Sequence, residues 1–402
     1  MRVAIIGQGY VGLTIAVGAA GAGHNVVGFD VNKALVDALN TGVSHIEGVS
    51  NSALASFIGK GAYKASADAA VLDGRDVIVI AVPTPLDEKN LPDLSFLITA
   101  TQLIARSASK GALVINESTS YPGTLREIVI TEIEKINKAQ FLYTAAPERI
   151  DPANTKWSIK NTPRVIAGID DQSSKAAYEF YKSICDEVIL VTSPEVAESA
   201  KLFENTFRQV NIALVNELAQ ITEKLGISAN EVIKAATTKP FGFMKFNPSL
   251  GVGGHCIPID PIYLAQKAES VGASAQFIRQ ANLVNQQMPL YVLKRLEGLL
   301  GGGISGKKIC IVGISYKPDV TDMRQSPAIV LWQELEKKGA LVSFHDEIVQ
   351  KFEGKTSTAL APNAFDLIVV AVAHSSLEID KVIHSAPIIF DCTGTIKGAY
   401  RL

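Results

Sequence analysis

"MRVAIIGQGYVGLTIAVGAAGAGHNVVGFD" (residues 1–30) begins with an apolar run, Val3 to Ile6, that reads as a buried strand. The glycines of G-x-G-x-x-G follow at Gly7, Gly9 and Gly12. Next come a helix of small residues, Leu13 to Ala22, and a second strand, Asn25 to Phe29, ending at Asp30. A bare glycine motif is a weak signal. Strand, helix and an acidic residue closing the next strand together fit a dinucleotide-binding βαβ unit. Gly7 suits the tight turn, Gly9 the approach of a pyrophosphate to the backbone, and Gly12 the packing of helix on strand. The helix N-terminus faces the phosphates. Asp30 accepts a ribose diol and repels a 2′-phosphate, so NAD is expected rather than NADP. Tyr10 and Val11 at the helix start, Lys33 beyond Asp30, and Thr84 and Thr119 further along complete the expected cofactor contacts.

The chain has 402 residues, 47% of them hydrophobic and 19% charged, with a net charge of -2. That is enough for two or three folded domains. The pI near 6.3 gives no footprint for nucleic acid or an anionic membrane. No apolar run reaches the roughly 18 residues of a membrane span without a glycine or polar break. Met1 to Gly28 has the apolar look of a signal peptide, but its glycine spacing belongs to the βαβ unit. The cysteines, Cys185, Cys256, Cys310 and Cys392, form no C-x-x-C pair, so neither a metal site nor a disulfide scaffold is expected. The reduced cytoplasm is the expected compartment.

Further strands follow in "DVIVIAVPTPL" (76–86), "ALVINESTSYPGT" (112–124) and "FLYTAAPERIDP" (141–152). Ligands of doubly wound sheets sit outside the carboxyl ends of strands. Thr84, Thr119 and Glu148 occupy those loops. From Pro194 to Leu225 the pattern is one long helix with Ser193 as its N-cap. Lys201, Asn205 and Arg208 fall at i, i+4 and i+7 on one face. Apolar residues on the other sides suggest a largely buried helix, where such a stripe needs a ligand or paired charges. A shorter helix spans 225–238. The glycine-rich loop "GVGGHCIPIDP" (251–261) then presents Cys256. Its glycines let the thiol approach a ligand, and nearby N–H groups favour the thiolate.

After the glycine-rich link 298–308 the strand–turn–helix pattern returns, with Gly313 standing without its second and third glycines. This second α/β domain therefore suits a ligand other than a full dinucleotide. Lys317 and Arg324 lie in its first strand-to-helix loop, a place for phosphate. The expected fold is α/β, two Rossmann-like doubly wound domains joined by a long central helix. The expected divisions are 1–190 for NAD, 191–298 for the central helical and cysteine-loop region, and 299–402 for the second ligand.

In order along the chain, "GQGYVG", "PTP", "EST", "APER", "AKLFENTFRQVNIALVNE", "GVGGHCIPIDP" and "ISYKPDVTDMRQSP" resemble the UDP-sugar 6-dehydrogenases, the family of UDP-glucose dehydrogenase. The resemblance covers nearly the whole chain. It implies a four-electron oxidation of a UDP-hexose C6 alcohol by NAD, and a homodimer through the long helix. It also implies roles. Cys256 matches the nucleophile that forms a thiohemiacetal and then a thioester. Lys201 and Asn205 match the pair that holds the C6 oxygen, and Asp260 the carboxylate near that lysine. Thr119 and Glu148 match the residues that position or deprotonate the hydrolytic water. Arg149, Asn247, Gly253, His255, Lys317 and Arg324 match substrate contacts.

"NTFRQVNIALVNE" and "GVGGHCIPIDP" look more like the branch acting on UDP-N-acetylhexosamines (N-acetylmannosamine, N-acetylglucosamine or N-acetylgalactosamine). Arg208 and His255 carry that likeness, with Arg208 expected to read the acetamido group or a neighbouring hydroxyl. "APERIDP" departs from the branch pattern at Ala146 and Ala153. The loop 239–246 holds Lys239 and Lys245 but lacks the arginine that crosses between subunits in the glucose branch. The alternatives are a UDP-glucose 6-dehydrogenase, a one-step β-hydroxyacid dehydrogenase, which needs no cysteine, and a non-catalytic NAD-binding regulator.

Overall fold

The computed structural model describes residues 1–88, 91–151, 154 and 156–402, so Ala153 lies outside the described residues. The chain forms two compact units. The first takes in Met1–Glu204 and Gln266–Val271, the second Asn205–Ala265 and Gly272–Leu402.

In the first unit the strands are β1 (Arg2–Ile6), β2 (Asn25–Phe29), β3 (Tyr63–Ser66), β4 (Val77–Ile80), β5 (Leu113–Asn116), β6 (Leu142–Ala145), β7 (Arg164–Gly168) and β8 (Val188–Leu190). They build one sheet in the order β3-β2-β1-β4-β5-β6-β7-β8. The pairs are parallel except β6 with β7, which is antiparallel. The apolar runs of the inner strands alternate between two cores. Val3, Ile5, Val77, Val79, Leu113 and Ile115 enter one; Ala4, Ile6, Ile78, Ile80 and Val114 enter the other. A parallel strand with helices on both faces needs that two-sided burial.

The glycine motif sits where the first strand ends. Gly7 has φ +89°, and a Cβ on Gly12 would fall 1.8 Å from the Gly7 carbonyl oxygen. The first helix, Tyr10–Gly21, therefore lies directly against the turn. Gln8 fills the space that a side chain at Gly28 would take. Its amide donates to the Ile5 carbonyl at 2.9 Å and accepts from the Tyr63 hydroxyl at 2.8 Å.

The helix Pro194–Leu225 begins among residues of the first unit and continues as part of the second. Ser193 caps it, accepting from the Val196 N–H at 3.4 Å. In the second unit it packs on the helix Gln276–Leu299 through buried amides. Asn216 donates to Asn285 at 3.0 Å, and Asn285 donates to the Gln209 carbonyl at 3.1 Å. The second sheet uses β9 (Lys308–Val312), β10 (Leu341–His345), β13 (Leu367–Val370), β14 (Ile388–Asp391) and β15 (Tyr400–Arg401). Its order is β10-β9-β13-β14-β15, parallel throughout. A small hairpin, β11 (Lys351–Phe352) with β12 (Lys355–Thr356), stands apart from it.

The two sheets repeat one detail. The Gln8 N–H donates to Asp30 at 2.8 Å, and the Ile314 N–H donates to Asp346 at 2.8 Å. Asp346 also accepts from the N–H groups of Ile348 and Val349, and His374 Nε2 lies 3.2 Å from it. Asp346, Glu347 and His374 place three possible metal-ligand atoms within 4.8 Å, but the Asp346 carboxylate is already spent on these loop contacts.

Gly12→Ala is expected to lose about 1–3 kcal/mol, because overpacking forces the Gly7 turn to move. A melting curve with and without NAD checks this. The variant should melt a few degrees lower and gain less from the cofactor.

Candidate active site

The first unit carries a cradle that fits a dinucleotide. Gly9 is the residue before the helix Tyr10–Gly21, and nothing lies within 4 Å of the position a Cβ would take there. No acidic residue stands in the first turn, which begins with Tyr10 and Val11. The Asp30 carboxylate is pinned by the N–H groups of Gln8 and Asn32. Lys33 opens the next helix, exposed. The loops after β4 and β5 are tied together, with the Thr84 hydroxyl donating to the Thr119 carbonyl at 2.6 Å.

Behind the loop after β6 is a buried charge cluster. Arg164, the first residue of β7, is 3% exposed. Its guanidinium donates to Glu117 at 2.7 Å and to Glu148 at 2.8 Å. The Tyr181 hydroxyl donates to the other Glu117 oxygen, and the guanidinium lies over the Tyr181 ring at 5.2 Å. The other Glu148 oxygen accepts from the N–H groups of Arg149 and Ile150, each at 2.6 Å. Burial pushes the Glu148 carboxyl up. The Arg164 charge and hydrogen bond, the Lys201 charge and the Ile150 N–H more than offset this, so it lies below the usual range. Glu117 goes the other way, to about 8, because burial dominates and Glu148 adds to it. Arg149 turns to Glu204 at 2.8 Å. Glu198 accepts from the N–H groups of Gly123 at 2.6 Å and Leu125 at 2.9 Å, holding the far end of the Thr119 loop. Burial pushes Glu198 to about 7.

In the second unit, the Asn205 amide donates to Asp260 at 2.6 Å. Asp260 opens the helix Asp260–Ser270, and its N–H donates to the Cys256 carbonyl at 2.9 Å. Cys256 is the one exposed cysteine; Cys185, Cys310 and Cys392 are buried. Its turn is backed by Tyr316 and the 324–325 backbone. The Gly254 N–H donates to the Arg324 carbonyl at 2.9 Å. A Cβ on Gly253 would meet the Gln325 carbonyl at 2.8 Å, and one on Gly254 the Tyr316 ring at 2.7 Å. Burial pushes the His255 imidazole down, and the Arg324 charge adds to it. Arg324 itself is paired with Asp322 at 2.6 Å. Asn247, Ser249, Tyr316, Lys317 and Thr393 line a cavity of about 370 Å³ beside this loop.

The structure thus joins Thr84 with Thr119 and Glu148 with Lys201 in the first unit. It joins Asn205, Asp260 and the Cys256 turn in the second. Arg208 does not share the burial of Lys201 and Asn205: it is exposed, and Gln209 takes the inward position. The helix is also less covered than its composition suggests, with Phe203 65% and Leu214 63% exposed. Arg164, Tyr181 and Glu198 are additions that motif reading does not single out, and Glu117 stands in the "EST" stretch without being read there as a site residue. The only signal for Arg164 is a charge set at the edge of an apolar strand.

Cradle and sheet define a dinucleotide-dependent dehydrogenase of the doubly wound class. The chain matches the UDP-glucose/GDP-mannose dehydrogenase family in its NAD binding domain over residues 1–185, its central domain over 195–287 and its UDP binding domain over 310–398. It is 33% identical to Protein CapL of Staphylococcus aureus, over 98% of this chain and 96% of that protein. It is 34% identical to the UDP-N-acetyl-D-glucosamine 6-dehydrogenase of Pseudomonas aeruginosa, over 94% of this chain and 92% of that one. The solved structure of UDP-D-ManNAc dehydrogenase from Pyrococcus horikoshii superposes with a TM-score of 0.90 at 31% identity, covering 100% of this chain and 98% of that one. The chain belongs to the UDP-glucose/GDP-mannose dehydrogenase family, and it is an NAD-dependent oxidoreductase. No helix among the described residues is long and apolar enough to cross a membrane.

Asp30→Ser is expected to lower kcat/KM for NAD by about tenfold or more and to narrow the preference over NADP. Initial rates with each cofactor at saturating substrate check this. An unchanged NAD/NADP ratio would count against the ribose role of Asp30.

Proposed function

We propose that the chain oxidises the C6 alcohol of a UDP-N-acetylhexosamine to the uronate, in two steps that share one covalent intermediate on Cys256. The observation that carries this is the Cys256 turn: the one exposed thiol sits on a glycine turn whose helix begins with the partner of Asn205. The relatives named for UDP-N-acetyl-D-glucosamine and UDP-N-acetyl-D-mannosamine support the acetamido branch.

NAD, which the Gly7–Gly12 turn and Asp30 would hold, would supply the hydride acceptor for each oxidation. Lys201 and Asn205 hold the C6 oxygen, and the lysine charge stabilises the alkoxide that develops there. The Cys256 thiolate adds to the C6 aldehyde, giving a thiohemiacetal, and keeps the aldehyde from leaving. The second oxidation makes this a thioester. Thr119 and Glu148 act on the water: Glu148 accepts its proton, the hydroxide oxygen bonds to the thioester carbon, and the carbon–sulfur bond breaks to return the Cys256 thiolate. The alcohol thus becomes a carboxylate, with two hydrides and three protons released and the second oxygen supplied by water. Lys201 and Asn205 precede the thiol in this sequence, and Asp260 fixes the Asn205 amide.

The cavity beside the cysteine loop suits the UDP moiety, with Asn247 and Lys317 on its wall, Tyr316 as a flat apolar face and Arg324 close by for a phosphate. Gly253 and His255 line the approach to the thiol, and Arg149 borders Glu148. Arg208 reads the acetamido group or its neighbouring hydroxyl. The working assembly is a homodimer: Phe203, Phe207, Leu214, Ile221 and Leu225 form an exposed apolar stripe along the long helix, which a second copy would cover. Four cysteines with no disulfide among the described residues support a cytoplasmic enzyme.

Limiting UDP-N-acetylhexosamine with excess NAD is expected to give two NADH per sugar. Two per sugar from UDP-glucose alone would keep the mechanism and discard the acetamido branch, while one per sugar would discard the thioester. Cys256→Ser should bind both ligands yet lose turnover by several orders of magnitude. Arg208→Leu should lower kcat/KM for the acetamido sugar by about tenfold or more; full activity with unchanged sugar preference would remove Arg208 from the site.

A further inference from the structure

We propose that Arg164, backed by Glu117 and Tyr181, is a positioning residue for thioester hydrolysis: it holds the Glu148 carboxylate ionised and fixes its orientation toward the water. The inference rests on the reading of Glu148 as the base of that step.

Glu148 stands in a geometric conflict. Glu148 is 6% exposed, and a carboxylate so buried prefers to take up a proton. A neutral carboxyl cannot serve as a base. Among the described residues, three donors prevent this. Arg164 holds one oxygen, and the N–H groups of Arg149 and Ile150 hold the other. A carboxylate offers about four acceptor positions, so three bonds leave one for a further donor. The same contacts that keep the group charged also leave it a single open direction.

The other groups facing Glu148 sort into supporting and opposing charges. Lys201, on the long helix, supports the ionised form. The Arg149 guanidinium is drawn away by Glu204. Glu117 opposes it, because it shares the one guanidinium at 2.7 Å. Tyr181 and Cys185 complete the surroundings of Arg164. With Glu117, Arg164, Glu148 and Lys201 all charged, the set is neutral. The site that yields first as the medium becomes acidic is Glu117, since burial raises it to about 8 while Glu148 is lowered. Glu117 therefore takes up the proton that would otherwise silence Glu148. Arg164 is fixed for this by stacking on Tyr181 and by a bond to the Ala146 carbonyl at 3.4 Å.

The test follows thioester breakdown against pH, by quenching during turnover and measuring acyl-enzyme by intact mass. A base works above its pKa, so removing the cation should move the acidic limb of breakdown upward. For Arg164→Gln the expected rise is about one to three pH units, the span that an opposite charge at contact distance commands. NADH release in the first turnover, which needs only Cys256 acylation, should change much less. If Arg164→Gln does not fold, Arg164→Lys, which keeps the charge and loses the fork, should show a smaller rise in the same direction. A slower rate with an unmoved limb in the folded variant would assign Arg164 a structural role and overturn the proposal. Glu148→Gln is measured alongside: if it hydrolyses the thioester normally, the reading of Glu148 has failed. If it accumulates acyl-enzyme while the Arg164 variants keep the wild-type limb, only the Arg164 proposal has failed.

Discussion

Lys201 and Asn205 stand four residues apart on an unbroken helix, and their separation along its axis is therefore about 6 Å, four rises of about 1.5 Å. Backbone hydrogen bonds set that distance, independent of side-chain packing. Within each unit, contacts extend from one of the two residues. Lys201 faces Glu148, whose charge is balanced by Arg164. Asn205 bonds Asp260, and Asp260 closes the turn that carries Cys256. A helix of this length costs little to keep regular once its buried stripe is packed, since propagation is cheap after nucleation. The seam of Gln209, Asn216 and Asn285 then holds its second half in register with the helix Gln276–Leu299.

The two sheets use one solution for different ends. In both, a glycine turn after the first strand sends an N–H to an aspartate that ends the next strand. Asp30 keeps accepting capacity for a ribose because only Gln8 and Asn32 bind it among the described residues. Asp346 is surrounded by Ile314, Ile348, Val349 and His374 and is left with nothing to offer a sugar. Gly313 makes the turn there alone, with φ +77° and its α-carbon packed against the Val372 carbonyl. The second fold is a nucleotide domain whose dinucleotide contacts have been turned into loop structure.

Much of this is legible in the chain itself. The G-x-G-x-x-G spacing, the two-sided apolar strands, the Pro194–Leu225 periodicity and the glycine-flanked cysteine all follow from local rules. β3, β7 and β8 escape such reading, β3 because Lys64 and Ser66 break its apolar run and β8 because it is three residues long and half exposed. β7 opens with an arginine, which no propensity would place inside a protein. The Glu117–Arg164 pair is invisible for a related reason: its members are 47 positions apart and meet only when the sheet assembles. Arg208 shows the opposite limit. A spacing of i, i+7 places it within about 20° of Lys201 on an ideal helix, yet the width of the packed stripe decides which edge is covered, and Gln209 is the residue taken in.

The distribution of the four thiols carries a consequence for how the chain meets its surroundings. Burial pushes Cys185 and Cys392 up and Cys310 to about 12, so three of the four are both enclosed and reluctant to ionise. Cys256 is neither enclosed nor replaceable by a neighbour. A thiol-directed electrophile added to the folded chain therefore finds a single cysteine, and it finds it without unfolding anything. The thiol chemistry of this protein is not spread over a population of cysteines: it is concentrated in one of the four.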